Sequence, residues 1–412
     1  MKLSAYGMTL VVCLAAGPAG AMQNAAGNAV KQLPEPSGTY GIGRVGFDWV
    51  DTSRPDRYAT KPGAHREMMV YLWYPAAKAE DVQGAYQPGA KQMDADAQAA
   101  AFYHEDDAAK WQLVVSGALH SHARENAPVA KSRRKFPLLV FVPGRGGTSF
   151  GYTALIEDLV SHGYAVASIE TPYNAPIMFP DGRILEIHRD TPQPGLSPEE
   201  QFKRMVAMAG LGIAEGAGDV RFVLDQLTAL QKGPHASPMI AALDLNKAAA
   251  IGHSAGAASA TRACQLDARF KACVDLDGGM VPVSVLPDFG DGATMKQPLL
   301  LLEANFDEAH MFGTHEQHLA YFKKKEEQLE QCPAGSFDVV LKANGLVHGS
   351  FSDDRLLDAN NSASAAQALD NLNLIETYIR AFLHRSLDGD RGTVLDSPSR
   401  ETALVTVRAY GN

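Results

Sequence analysis

Two short stretches of the sequence carry the Gly-x-Ser-x-Gly pattern of a nucleophilic serine, GTSFG at residues 147–151 and GHSAG at residues 252–256. In such a motif the serine hydroxyl attacks a carbonyl carbon, and the glycines allow a tight turn in which backbone segments approach closely. Average glycine usage makes a chance match roughly a one-in-ten event in about 400 residues. The residues around each serine must therefore decide which one could do chemistry.

A nucleophilic serine of this kind sits on a sharp turn between a strand and a helix. Ser254 meets this demand, because the strand-like run KAAAI ends just before the motif and the small-residue segment AGAASATRACQLD follows it. Ser149 does not, because the residues PGRGG separate it from the strand-like run FPLLVFV. We predict that Ser254 is the nucleophile and that Ser149 lies in a loop or a first helical turn.

The PGRGG loop suits a different task. Acyl transfer places negative charge on the former carbonyl oxygen, and two backbone N–H groups commonly stabilise this oxyanion. One belongs to the residue after the nucleophile, here Ala255, and the other to a glycine-rich loop after an early strand. We predict that Arg145 supplies the second N–H through its main chain; the alternative is a glycine turn without a catalytic role.

A serine of this type needs a histidine base and a carboxylate, in the chain order serine, acid, histidine. His348 is the candidate base, because NGLVHGSFSDD follows the last predicted strand and precedes a long C-terminal helix. Three other histidines, His310, His315 and His318, lie on or near a probable helix without the carboxylate spacing of a zinc site. The sequence predicts neither a metal site nor a cofactor.

Two acids compete for the carboxylate role. Asp277 closes the strand-like run KACVDL, and Asp307 follows the next run, PLLLLEANFD. Both positions are at carboxyl ends of predicted strands. Periodicity alone does not separate them.

The elements that must hold these residues are short apolar runs that alternate with helical segments from Phe136 onward. This alternation is typical of an α/β fold whose parallel sheet is covered by helices on both faces. The segments GTYGIGRVGFDWV and REMMVYLWYP predict an antiparallel edge at the N-terminal side. We predict one domain over residues 37–390, with an insertion or cover at 76–130, a possible lid at 171–200 and a tail at 391–412.

The N-terminus reads as a secretory signal peptide over residues 1–21, with one lysine, an apolar run and an Ala-x-Ala site before Met22. A polar segment at 22–36 follows and is expected to be flexible. We therefore expect a secreted or periplasmic protein without a transmembrane segment. Cys264 and Cys273 could pair in an oxidising compartment, or both could be buried hydrophobic side chains.

The formal net charge is −10, which argues against nucleic acid or an anionic membrane as the main partner. The expected partner is a small-molecule or lipid-like ester. The oligomeric state is left open.

In order along the chain, the motifs FVPGRGG, SHGYAVASIE, GHSAGA, VDLDGGM, PLLLLEANFDEA and VHGSFSD resemble those of the platelet-activating-factor acetylhydrolase family and its secreted bacterial relatives. The resemblance implies an α/β-hydrolase fold and ester hydrolysis. It favours Asp277 as the acid, because the family's acid follows the strand after the serine turn. The family's His-x-x-Phe-x-Asp pattern is matched by His348, Phe351 and Asp353. Arg145 departs from the apolar residue of the animal enzymes.

These observations predict a secreted serine esterase with the triad Ser254, His348 and Asp277. The alternatives within enzymes are a polyester hydrolase and a peptidase or amidase, because the same triad serves these bonds. The alternative outside enzymes is an inactive envelope binding protein with the same fold.

Overall fold

The computed structural model describes residues 33–79, 84–188, 193–278, 294–305, 315–358, 362–390, 392–395 and 399–411. The predicted signal peptide therefore lies outside the described residues, as does Asp307. The strands, in chain order, are β1 (Gly41–Pro55), β2 (His65–Ala76), β3 (Gly84–Ala85), β4 (His120–Ser121), β5 (Ala123–Glu125), β6 (Phe136–Val142), β7 (Ala165–Glu170), β8 (Ile177–Met178), β9 (Ile184–Leu185), β10 (Leu243–His253), β11 (Phe270–Leu276), β12 (Leu299–Ala304), β13 (Ser336–Leu341), β14 (Ser399–Glu401) and β15 (Val405–Tyr410).

From β6 onward helices separate most strands that are consecutive in the chain, as the sequence predicts. They are α1 (Ala90–Ala95), α2 (Ala97–Ser116), α3 (Thr153–Ser161), α4 (Pro198–Lys232), α5 (Pro238–Ala241), α6 (Ala255–Leu266), α7 (His315–Leu329), α8 (Asp354–Asp358) and α9 (Ser362–Leu383). Short 3₁₀ turns occur at Ser149–Tyr152, His348–Phe351 and Thr393–Leu395, and a π turn at His384–Asp388. α4 begins with a capping box, in which Ser197 and Glu200 are bonded reciprocally.

One large sheet organises the described part of the chain, in the strand order β14-β15-β13-β12-β11-β10-β6-β7-β2-β1-β5. Its centre, from β13 to β7, is parallel throughout. Every residue of β6 and of β7 is buried, which explains why β6 is an unbroken apolar run in the sequence and why β7 is apolar apart from Ser168 and Glu170. The predicted mostly parallel α/β sheet is confirmed.

Helices cover both faces of the sheet. On one face α3 and α9 pack their apolar side chains against the strands, and on the other face α4 and α6 do so. Leu155 and Ile379 belong to the first core, and Leu224 and Ala263 belong to the second. Cys264, Cys273 and Cys332 are buried and free, so the structure favours the buried-hydrophobe interpretation of the first two cysteines.

Antiparallel strand pairs flank the parallel centre of the sheet on both sides, and the outermost strand on the N-terminal side, β5, pairs in parallel with β1. At the N-terminal side β2 pairs with β7 and β1 pairs with β2, as predicted. At the other side β15 pairs with β13 along Val405–Tyr410, and thus extends the sheet beyond residue 390, where the sequence places the end of the domain. Sequence pattern alone assigns no role to this run, because a single strand-like segment carries no signal of its partner.

The segment between β2 and β6 is joined to the sheet through a buried arginine. Arg44 of β1 is fully buried; its Nε lies 2.7 Å from Glu125 Oε1 and its Nη2 donates to the Ala85 carbonyl at 2.7 Å. Its guanidinium also lies over the Trp73 ring, 5.6 Å from the centroid. Because a buried charge must be paired and hydrogen-bonded, Arg44 fixes both ends of the segment to β1.

The segment predicted as a possible lid forms a small hairpin from β8 and β9. Ile177 and Phe179 are buried and pack with Met69 of β2, whereas Met178 is half-buried and packs against the cluster around Trp111. Ile177 and Phe179 therefore contribute to the internal packing of the protein.

Candidate active site

Ser254 occupies the turn between β10 and α6. Its backbone has φ 54° and ψ −123°, outside the regions that non-glycine residues normally adopt. The Ser254 N–H donates to the Leu276 carbonyl at 2.9 Å, and the Ser254 carbonyl accepts from the Ala257 N–H at 3.0 Å. These bonds hold the strained turn that presents the serine where helix and strand meet.

The two glycines of GHSAG are required by close backbone packing. A Cβ on Gly252 would lie 2.4 Å from the Gly256 carbonyl carbon, and a Cβ on Gly256 would lie 2.2 Å from the Val142 carbonyl oxygen. A side chain at either position would collide with main chain that has no room to move. The backbone around Ser254 therefore requires both glycines of the Gly-x-Ser-x-Gly motif. Ser149, by contrast, begins a 3₁₀ turn, as predicted.

The PGRGG loop lies directly beside Ser254. A Cβ on Gly144 would lie 3.3 Å from the Ser254 Cβ. Gly147 N–H donates to the Gly144 carbonyl at 3.0 Å, and Gly146 has φ 75°, so residues 144–147 form a tight turn with Arg145 at its corner. Within the described ranges, neither the Arg145 nor the Ala255 N–H has a hydrogen-bond partner.

His348 and Asp277 lie together at the carboxyl ends of the strands. His348 Nδ1 is 2.6 Å from Asp277 Oδ2, and the other carboxylate oxygen accepts from the Ala304 N–H at 2.9 Å. The Asp277 backbone has φ 53°, and its N–H donates to the Leu302 carbonyl at 2.9 Å. The Asp277 side chain is 13% exposed, whereas that of His348 is 55% exposed and open to solvent.

His253 connects the serine turn to His348. Its ring centroid is 4.5 Å from that of His348 and 5.6 Å from that of Phe351. Burial, followed by the neighbouring His348, lowers the pKa of His253 to about 3, so this ring stays neutral at ordinary pH. Tyr152 Oη lies 2.8 Å from His253 Nδ1 and accepts from the Gly144 N–H at 3.0 Å, which links the serine turn to the PGRGG loop.

Asp353, the last residue of the His-x-x-Phe-x-Asp pattern, is a structural anchor. Its buried carboxylate accepts from the Thr153 and Ala154 N–H groups at the start of α3 and from the Tyr86 hydroxyl at 2.8 Å. Burial raises its pKa to about 7. The residue thus fixes the loop of His348 to α3 and to the segment between β2 and β6.

Glu170 is a second buried acid near the site. It ends β7, and its Oε1 accepts from the Ser149 N–H at 2.9 Å. Burial raises its pKa from 4.5 to about 7. The sequence gives no signal for this role or for those of Tyr152 and His253, because each depends on contacts between distant elements.

We expect Glu170→Gln to change the pH dependence of stability. Because the folded pKa is raised, the folded state binds more protons than the unfolded state between pH 4.5 and about 7. The contribution of Glu170 is therefore fully present below pH 4.5 and is lost as pH rises through 7. A shift of this size corresponds to at most about 3 kcal/mol.

Urea unfolding at several pH values checks this expectation. Relative to the wild type, Glu170→Gln should gain free energy of unfolding at pH 8 and gain least at pH 4.5. Glu330→Gln, at an exposed position, is the matched control. Parallel pH curves for wild type and Glu170→Gln would contradict the assignment.

The sequence also singles out three other histidines. His310 lies outside the described residues, and His315 opens α7, which also contains His318. No group of three or more metal-binding side chains occurs in the portion of the chain that the structure covers. Among the described helices, none combines the length and the apolar character that crossing a bilayer requires.

A parallel sheet covered by helices, a strained serine between strand and helix, and an Asp–His pair at the strand ends define an α/β hydrolase. The family model described as platelet-activating factor acetylhydrolase, isoform II, matches residues 25–177 and 219–369. The chain belongs to this family and is an ester hydrolase.

Individual relatives agree with this placement. The probable 1-alkyl-2-acetylglycerophosphocholine esterase of Arthroderma benhamiae is 28% identical over 398 residues, which cover 89% of this chain and 91% of that protein. The platelet-activating factor acetylhydrolase of Cavia porcellus is 27% identical over 305 residues, 68% of this chain and 63% of that protein. The solved structure of a ferulic acid esterase from Streptomyces cinnamoneus is similar with a TM-score of 0.67 and 27% identity, over 92% of this chain and 99% of that one.

Proposed function

We propose that this protein is a secreted serine carboxylic-ester hydrolase in which Ser254, His348 and Asp277 form the catalytic triad. One observation carries the proposal: His348 Nδ1 lies 2.6 Å from Asp277 Oδ2, and the His348 ring lies 4.5 Å from that of His253, which directly precedes Ser254 in the strained turn. Arg145 and Ala255 complete the proposed site as the two backbone donors of the oxyanion hole.

The proposed reaction has two halves. In the first, Ser254 Oγ attacks the ester carbonyl carbon while His348 Nε2 takes the hydroxyl proton. The negative charge on the carbonyl oxygen is stabilised by the Arg145 and Ala255 N–H groups. When the tetrahedral intermediate collapses, His348 returns the proton to the leaving alkoxide, and the acyl group stays on Ser254.

In the second half, water replaces the alcohol. His348 removes a proton from the water as it attacks the acyl-enzyme, and the same oxyanion donors act again. His348 then protonates Ser254 as the carboxylic acid departs. Asp277 accepts the hydrogen bond from His348 Nδ1 throughout, which holds this tautomer and stabilises the imidazolium. The Ala304 N–H on its other oxygen supports this orientation.

For the substrate we propose a short-chain acyl ester, with a 2-acetyl glycerophospholipid as the leading candidate. Support comes from the names of the relatives, one of which aligns with 91% of its own length. The structural neighbour, named a ferulic acid esterase, supports a feruloyl ester as the second candidate.

A fluorophosphonate probe followed by a substrate panel tests the function. Mass spectrometry of the labelled protein should place the adduct on the peptide that contains Ser254. The panel compares 2-acetyl and 2-palmitoyl glycerophosphocholines, p-nitrophenyl acetate, a feruloyl ester, a polyester film and an anilide. We expect acetyl esters to be cleaved fastest; no adduct and no turnover would favour an inactive binding protein instead.

We also propose that residues 1–21 direct export and are removed. The mature protein should then begin at Met22. Intact-mass measurement of protein recovered outside the cytoplasm checks the cleavage site, and a full-length mass in the cytoplasm would contradict it.

A further inference from the structure

Asn174 makes three hydrogen bonds to the turn that carries Arg145. Its Nδ2 donates to the Gly144 carbonyl at 2.9 Å and to the Gly147 carbonyl at 3.1 Å. Its Oδ1 accepts from the Gly146 N–H at 2.9 Å. One side chain therefore satisfies three main-chain groups of a turn that is only four residues long.

The chemistry of this contact is specific to an amide. The turn offers two acceptors and one donor, and only a side chain with an NH₂ group and a carbonyl oxygen matches all three. An aspartate of the same shape would keep the bond from Gly146 but would place an oxygen against the two carbonyls. Asn174 lies four residues after Glu170, the last residue of β7.

The residue before Asn174 is held in an unfavourable conformation. Tyr173 has φ 69°, which is rare for a large side chain. Its hydroxyl donates to Asp56 Oδ2 at 2.7 Å, and its ring packs edge-on against Tyr58 at 5.1 Å. Both partners lie in the connection between β1 and β2, which therefore holds the backbone that aims Asn174 at the turn.

The position of the turn matters because Arg145 is at its corner. An oxyanion donor must lie close to the place where the charge develops, and small displacements reduce its effect strongly. Gly144 and Gly146 give the turn little stiffness of their own. Three bonds from one side chain supply the stiffness that the glycines lack.

We propose that Asn174 is a positioning residue for the oxyanion hole, and that Tyr173 holds it in place from the β1–β2 connection. This inference rests on the proposed function, because it assigns Asn174 a role in the same reaction. Asn174 acts through the Arg145 N–H and does not itself touch the ester.

Kinetics of Asn174→Ala and Asn174→Asp test the proposal. We expect kcat for p-nitrophenyl acetate to fall about 10- to 100-fold with KM within about 2-fold, because the turn serves the transition state more than the ground state. Asp should be no better than Ala despite its isosteric shape. Tyr173→Phe, which removes only the bond to Asp56, should give a smaller loss in kcat.

Gln231→Ala is the matched control. Gln231 Nε2 likewise donates to two carbonyls, those of Ile240 and Leu243, both at 2.9 Å, at the amino end of β10, the opposite end of that strand from Ser254. This variant should lower the melting temperature as much as Asn174→Ala does, or more, without lowering kcat.

A second readout reports the oxyanion directly. A trifluoromethyl ketone forms a tetrahedral adduct with the nucleophilic serine, so its inhibition constant should rise by the same factor as kcat/KM falls across the Asn174 variants. Unchanged kcat and unchanged ketone affinity in folded Asn174 variants would overturn the positioning role. Failure of the wild type to form any serine adduct would instead overturn the proposed function, so the two failures are distinct.

Discussion

Replacing Ser254 by Ala should lower kcat for p-nitrophenyl acetate by several orders of magnitude. The hydroxyl is the only protein group proposed to bond to the acyl carbon, and the strained turn at φ 54° presents it for that purpose. A residual rate enhancement of about 10³ to 10⁴ over water should survive, because substrate binding and the oxyanion donors remain. The purified variant must be free of wild-type enzyme, since a trace would mask the loss.

Ser149→Ala is the matched control for this experiment, because Ser149 stands in the other Gly-x-Ser-x-Gly stretch. Ser149 is fully buried, and the main-chain N–H that donates to Glu170 is retained in alanine. We expect kcat to stay within about 3-fold of the wild type, as for a substitution that removes no catalytic contact. Normal turnover by Ser254→Ala would contradict the assignment of Ser254 as the nucleophile. A loss of turnover in Ser149→Ala alone would indicate Ser149 instead.

The second large effect should come from the carboxylate. Asp277→Asn should lower kcat by about 10⁴, the magnitude typical of this change in a serine triad. The oxygen 2.6 Å from His348 Nδ1 would be replaced by an NH₂ group or an amide oxygen of lower charge. The imidazole would then lose the partner that fixes its tautomer and stabilises its cation.

Asp307→Asn is the comparison variant, because the sequence pattern alone does not decide whether Asp277 or Asp307 is the catalytic carboxylate. Asp307 lies outside the described residues, whereas Asp277 already pairs with His348. Steady-state kinetics should show a large loss for Asp277→Asn and near-normal kcat for Asp307→Asn. The reverse pattern would assign the carboxylate to Asp307.

Much of the fold was predictable because the parallel strands are buried on both faces. A strand covered on both faces is mostly apolar, so β6, β7, β11, β12 and β13 appear in the sequence nearly as they fold. β10 begins four residues before the predicted run, because residues 244–247 are partly buried or exposed and the ladder is irregular between Asp244 and Ala248. Local pattern therefore located the strands but not their irregular ends.

Some residues of the candidate site can likewise be predicted from local sequence, and others cannot. Ser254, Ala255 and the PGRGG loop are identifiable because their geometry is encoded within a few residues of chain. Asn174 and Tyr152 are not, because hydrogen bonds between segments about 30 and 100 residues apart give them their roles. Asp277 is intermediate: its position after a strand is local, but its preference over Asp307 came from the family resemblance.

The bond between the Tyr86 hydroxyl and Asp353 bears on how this enzyme can be engineered. Deleting the segment between β2 and β6 to open the site would remove one of the hydrogen-bond donors to Asp353, a few residues from His348. Chimaeras that exchange this segment between relatives should therefore transfer positions 86 and 353 together. The segment between β2 and β6 and the loop that carries His348 should therefore be exchanged as one unit.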